Sequence, residues 1–103
     1  MERAHTLLLV DADITSCEAL ARRLERRGCA VSSVTTGAQA LQHLAVHPVS
    51  LVLLDLDLVG MTALSLLQSI RETWPASDLP VVVIATDAQK DDALTALDLG
   101  ANE

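Results

Sequence analysis

The sequence predicts a single α/β domain over residues 1–103: a doubly wound parallel sheet with helices on both faces. Three observations lead there. Short apolar runs rich in Leu and Val alternate with longer segments of helical period. Those runs are apolar at nearly every position rather than every second one, as expected of parallel strands covered on both sides. The strand–helix unit occurs four times in series, whereas a closed β/α barrel needs eight.

The first strand is Thr6–Val10, TLLLV. The helix after it sets Ile14, Cys17, Leu20, Ala21 and Leu24 on one face. Thr15 and Glu18 have the spacing of a capping box, and Gly28 ends the helix. The second strand is Ala30–Val34. The second helix runs from Gly37 to His47 with Leu41, Leu44 and Ala45 inward, and Pro48 stops it. The third strand is Leu51–Leu54. The third helix begins near Thr62, carries Leu66, Leu67 and Ile70 inward, and is closed by Trp74-Pro75. The fourth strand is Val81–Ala85, and the fourth helix is Lys90–Leu99, capped by Gly100.

Right-handed crossovers place the first helix alone on one face of the sheet and the other three on the opposite face. The fourth strand, VVVIA, is apolar on both sides. Its edge and the thinly covered face beside it are therefore expected to be a pairing surface. Either the chain is a fragment of a longer polypeptide, or it forms a homodimer through that edge.

The charge balance is 14 acids against 7 bases, a net −7. Such a surface repels phosphate backbones, so direct nucleic-acid binding is not expected. Arg22, Arg23, Arg26 and Arg27 form the one dense basic cluster. A solvated helix face explains it better than a docking patch for an acidic partner. The chain has neither an apolar run long enough to span a bilayer nor a signal-peptide cleavage pattern, and the expectation is a cytoplasmic, soluble domain with no membrane partner. Cys17 and Cys29 form no disulfide framework, and His5, His43 and His47 read as scattered, with little weight for a metal role.

Chemistry enters with the acids. In a doubly wound sheet, ligands bind beyond the carboxyl ends of the strands, at the point where strand order reverses. With the order 2-1-3-4 that point lies between strands one and three. Strand one runs into Asp11-Ala12-Asp13 and strand three into Asp55-Leu56-Asp57. Topology thus gathers Asp11 and Asp55 in one crevice, with Asp13 and Asp57 close by. Carboxylates crowded together bind a cation, hold protons with raised pKa, or point apart into water. They suit a hard cation such as Mg²⁺, and one could accept a phosphoryl group. For Asp13 a helix cap and for Asp57 a solvated loop position are the favoured readings.

Five segments in order resemble the receiver domains of response regulators, the phosphoacceptor partners in two-component signalling. They are LLLVDAD, VTTGAQALQHL, PVSLVLLDLDLVGM, LPVVVIAT and ALDLGANE, and they span the whole chain in register. The resemblance implies a flavodoxin-like fold whose fifth strand and helix are missing here. It implies a non-enzymatic signalling module linked to transcription regulation, with a histidine kinase, an output domain or a second copy as its protein partner. It makes Asp55 the phosphoacceptor. It gives Asp11, Asp55 and the main chain at Asp57 a role in holding Mg²⁺.

Four departures set this chain apart from that pattern. The second acid of the family's metal-binding pair is Ala12, and a methyl cannot ligate Mg²⁺. The Ser/Thr that responds to phosphate is Ala85. The loop reads Val59-Gly60-Met61-Thr62-Ala63, without the usual proline before the glycine. The family's lysine after strand five has no counterpart, Lys90 being the only lysine. Asp13 and Thr86 are the candidate substitutes. Asp57 and Asp87, at positions that flank the phosphoryl group in the family, would repel a dianion. The leading expectation is an atypical receiver with impaired, Mg²⁺-dependent phosphorylation that acts through protein–protein contact. The alternative is a functional phosphoacceptor receiver phosphorylated at Asp55 by a histidine kinase. A small α/β enzyme or nucleotide-binding domain comes third, since no GxGxxG or P-loop follows any strand.

Overall fold

The computed structural model describes residues 5–58 and 60–103. Its elements in chain order are β1 (Thr6–Val10), α1 (Ile14–Glu25), β2 (Ala30–Val34), α2 (Gly37–Val46), β3 (Leu51–Asp55), α3 (Ala63–Thr73), β4 (Val81–Ile84), a 3₁₀ turn (Asp87–Gln89) and α4 (Lys90–Asp98). The four strands form one parallel sheet in the order β2-β1-β3-β4. This is the flavodoxin-like, doubly wound arrangement that the alternation predicts.

The core lies on the face that carries α2, α3 and α4. Leu8 and Val10 of β1, Val52 and Leu54 of β3 and Val81 of β4 meet Ala40, Leu44, Leu66, Leu67, Ile70 and Ala96 from the helices. Leu66, Leu67 and Ile70 are fully buried, each contributing about 1.5–3 kcal/mol by leaving water. The alternate strand residues face the other way. There α1 packs on β1 and β2, and Cys17 is buried beneath it. The half of that face over β4 is thinly covered: Ile84 stays 43% exposed. One helix on one face and three on the other is the division that crossover handedness predicts.

Several local expectations are corrected. Thr15 and Glu18 do not frame the start of α1. Asp13 is its N-cap, as its favoured reading expects, accepting from the backbone N–H groups of Thr15 and Ser16, because a carboxylate one residue ahead of the helix reaches both free donors. Ile14 is not inward but 59% exposed. In α2 the buried positions are Gly37, Ala40 and Leu44, Leu41 packs half-buried against the core as expected, and Ala45 is exposed. Ala45 follows Leu44 directly and is turned about 100° away from it. β3 extends one residue further than expected, to Asp55, which pairs with Ile84. β4 ends one residue sooner, at Ile84, and the chain enters the 3₁₀ turn before α4. α4 itself closes at Asp98, with Leu99 as its C-cap.

The β4 edge is less open than its composition suggests. Asn102 N–H donates to the Val81 carbonyl at 2.8 Å, and Val83 N–H donates to the Glu103 carbonyl at 2.6 Å. Residues 102–103 thus run along β4 and occupy part of its edge. Arg71 of α3 holds them there. Its guanidinium donates to the carbonyls of Gly100 (2.8 Å), Trp74 (3.1 Å) and Leu79 (2.8 Å) and to Asn102 Oδ1 (2.9 Å). The same Asn102 oxygen accepts from Val81 N–H at 3.0 Å. Burial pushes the Arg71 pKa below its ordinary value. Gly100 is needed beside it: its φ is +112°, and a Cβ there would lie 3.1 Å from the Arg71 side chain.

Four hydrogen bonds from one charged group, three to main-chain carbonyls and one to Asn102, predict a large cost of removal. Arg71→Met is expected to lose about 2–3 kcal/mol in urea unfolding and to speed hydrogen exchange at the Val83 amide. An unchanged unfolding midpoint would show that the clamp contributes nothing.

Candidate functional site

β1 and β3 are neighbours in register, with Val10 opposite Leu54. The next residue on each strand is therefore an aspartate, and both emerge at the carboxyl end of the sheet. Asp11 is tied to the sheet by its own N–H, which donates to the Val34 carbonyl at 3.1 Å. Asp11, Ala12, Asp13, Ser16, Asp55 and Asp57 line one open crevice of about 320 Å³. The acids that the sequence assigns to a common site are thus brought together.

Their hydrogen bonds distinguish them. Asp11 Oδ1 accepts from Asp13 N–H at 2.8 Å, and Asp55 Oδ1 accepts from Asp57 N–H at 2.9 Å. Both are the same local turn, in which an aspartate bonds the backbone two residues on. Each carboxylate therefore shapes its own loop and keeps its second oxygen for the crevice. Asp13 differs. Its Oδ1 accepts from Thr15 N–H (3.0 Å) and Ser16 N–H (3.3 Å), and its Oδ2 from Ser16 Oγ (3.1 Å). Both oxygens serve the helix start. Asp57 is exposed, whereas Asp11 and Asp55 are half-buried.

Asp55 feels the crowding most. Burial raises its pKa above the ordinary carboxylate value. The negative charge of Asp11, a hydrogen bond between the two side chains and the charge of Asp57 push the same way, against the Asp57 N–H bond. A half-buried acid with a second acid beside it holds its proton more tightly, or gains from a cation that neutralises the pair.

Magnesium fits this donor set poorly. Ala12 contributes a methyl group, and Asp13 cannot replace the missing carboxylate without giving up the cap of α1. Among the described residues, no three His, Cys, Asp or Glu side chains form a group able to hold a metal ion. The other altered position, Ala85, follows β4 and is exposed. Thr86 beside it is the N-cap of the 3₁₀ turn, its N–H donating to Gln89 Oε1 at 3.0 Å. Asp87 is the first residue of that turn and is exposed. Neither Ala85 nor Thr86 lines the acidic crevice.

One contact escaped the sequence reading. Met61, in the loop after β3, packs onto Gly37 at the first turn of α2. A Cβ at residue 37 would lie 2.8 Å from the Met61 sulfur. Gly37 is buried, so only glycine lets the loop approach this closely. Glycine at the helix start was the available signal, but its partner lies 24 residues away along the chain.

Comparison with known proteins agrees with this geometry. The family model described as the response regulator receiver domain matches residues 7–103. The chain belongs to the response regulator receiver family. The transcriptional regulatory protein KdpE of Mycobacterium tuberculosis is 35% identical over 97 residues, covering 94% of this chain and 42% of KdpE. The CpxR homolog of Haemophilus influenzae is 36% identical over 97 residues, covering 94% of this chain and 41% of its own length. This receiver thus spans about two-fifths of such relatives, which are transcriptional regulators. Among solved structures, NtrX of Brucella abortus superposes with a TM-score of 0.87 at 28% identity over 95% of this chain and 22% of NtrX. A response regulator of Thermotoga maritima gives 0.81 at 26% identity, over 96% and 81% of the two chains. No helix among the described residues is long and apolar enough to cross a membrane.

The raised pKa of Asp55 sets the sign of a pH effect. A carboxyl that binds its proton more tightly when folded favours folding while protonated and loses that contribution as pH rises through its folded pKa. At neutral pH the ionised Asp55 therefore opposes folding. Asp55→Asn is expected to melt at a higher temperature than the parent at pH 7, with the gap closing toward about pH 4. A gap that widens on acidification would contradict the crowding between Asp11 and Asp55.

Proposed function

We propose that residues 1–103 form one receiver unit that signals by docking with protein partners and is phosphorylated weakly at Asp55, catalysing no reaction of its own. The observation that carries this reading is the pairing of Asp11 with Asp55 beside Ala12, in a crevice where Asp13 is committed to the helix cap. Bound Mg²⁺ supplies the charge that lets a phosphoryl group approach clustered carboxylates. With one direct ligand replaced by a methyl, that help is weakened. Asp57, held by the Asp55 turn, adds negative charge at the crevice. Ala85 brings no hydroxyl to sense a phosphoryl group once it is attached.

The partners this reading calls for are a histidine kinase, an output domain like those of the transcriptional relatives, or a second copy of the chain. Ile84, Leu94 and Leu97, large and exposed, are surfaces such a partner would cover. Direct nucleic-acid binding by this unit is opposed by its net charge of −7. The place of action is the cytoplasm.

A second reading has its own support. Asp55 and its neighbour Asp11 are kept in the positions the family uses, and the relatives at 35–36% identity are transcriptional regulatory proteins by name. In that case Asp55 is a working phosphoacceptor, and Asp11, Asp13 and Asp55 hold the metal.

Incubation with Mg²⁺ and a small phosphodonor, followed by intact-mass analysis, separates the two. The expected result is slow, sub-stoichiometric mass gain that disappears in Asp55→Asn. Ready, stoichiometric phosphorylation overturns the first reading. Restoring the ligand with Ala12→Asp is expected to tighten Mg²⁺ binding about tenfold, equivalent to ~1.4 kcal/mol, and to raise the phosphorylated fraction. No change in Mg²⁺ affinity would mean that Ala12 is not the lost ligand.

A further inference from the structure

His43 and His47 lie one helical turn apart at the end of α2, and their rings stack with centroids 4.6 Å apart, tilted by 34°. They are therefore not scattered, as the sequence reading has them; the i, i+4 spacing was the missed signal. His43 Nε2 is buried and has no hydrogen-bond partner. A buried polar nitrogen left this way is costly. Both rings line an open pocket of about 340 Å³ between α2 and the edge strand β2, together with Ser33, Gln39 and Gln42. Gln39 already accepts from Thr35, so Ser33 and Gln42 are the polar side chains left to face an occupant.

We propose that His43 and His47 form a binding site for a divalent transition-metal ion of the zinc class. Two imidazoles at i and i+4 on a helix present their nitrogens to one point on the same face. Imidazole suits Zn²⁺, Ni²⁺ and Cu²⁺, whereas Mg²⁺ prefers oxygen. The pocket has room for the water molecules that complete the coordination of a two-ligand site. The end of the helix adds a favourable field, since the last carbonyls carry the negative pole of the dipole. A metal on Nε2 also satisfies the orphaned nitrogen of His43. Burial, with the neighbouring His47 adding to it, lowers the pKa of His43 and keeps its imidazole neutral, the form that binds metal. The site is separate from the acidic crevice, which lies off the carboxyl ends of β1 and β3 and shares no lining residue with it.

Calorimetric titration of the untagged chain with Zn²⁺, in excess Mg²⁺ to occupy the carboxylates, tests the assignment. One equivalent is expected to bind in the micromolar range. His43→Ala and His47→Ala should each weaken binding at least tenfold, while His5→Ala and Asp55→Asn leave it unchanged. His47 is exposed, so its variant should keep the parent circular dichroism spectrum and serves as the decisive one. Absence of Zn²⁺ binding, undiminished binding in His47→Ala, or loss of binding in His5→Ala or Asp55→Asn would overturn the proposal.

Discussion

The parallel pairing of β1 with β3 is the constraint from which the rest follows. Its register sets Val10 against Leu54, so the two strands run out of apolar sequence at the same level. Had β3 slipped by one residue, Leu54 would face α1 and Asp55 would turn into the core against α3, at a cost of several kcal/mol for the unpaired charge. The hydrophobic pattern thus fixes where the carboxylates emerge. The site is a consequence of how the core is buried.

The acids are also structural. Asp11 and Asp55 each bond the backbone two residues ahead, and Asp13 caps α1. A carboxylate at these points holds its loop whatever chemistry the crevice supports. That duality explains how Ala12 can be tolerated between two aspartates. Its side chain carries no local bond in the turn, so a methyl there leaves the fold undisturbed.

Most of the architecture was legible because it rests on long, one-sided signals. TLLLV, LVLLD and VVVI can be little other than buried strands, and Leu66, Leu67 and Ile70 mark one face of α3 without ambiguity. The errors fall where two local signals compete. At the start of α1, Asp13 and Thr15 are both plausible caps, and the carboxylate nearer the first turn prevails. In α2, Ala40 and Ala45 are equally apolar, and Ala40, one turn before the buried Leu44, is the one that turns inward. The crevice itself was legible from topology, but the commitment of each oxygen was not, since hydrogen bonds of 2.8–3.3 Å depend on backbone detail. The Arg71 clamp joins residues 29 and 31 positions apart, beyond the reach of any periodicity.

The corner that Arg71 holds together has an optical consequence. Trp74 is the only tryptophan in a chain without tyrosine or phenylalanine. Its carbonyl accepts from Arg71 and its side chain packs against the core. Ultraviolet emission from this protein therefore comes from one indole at the far end of α3. It reports the integrity of that junction directly, and changes confined to the acidic crevice pass almost unseen by fluorescence.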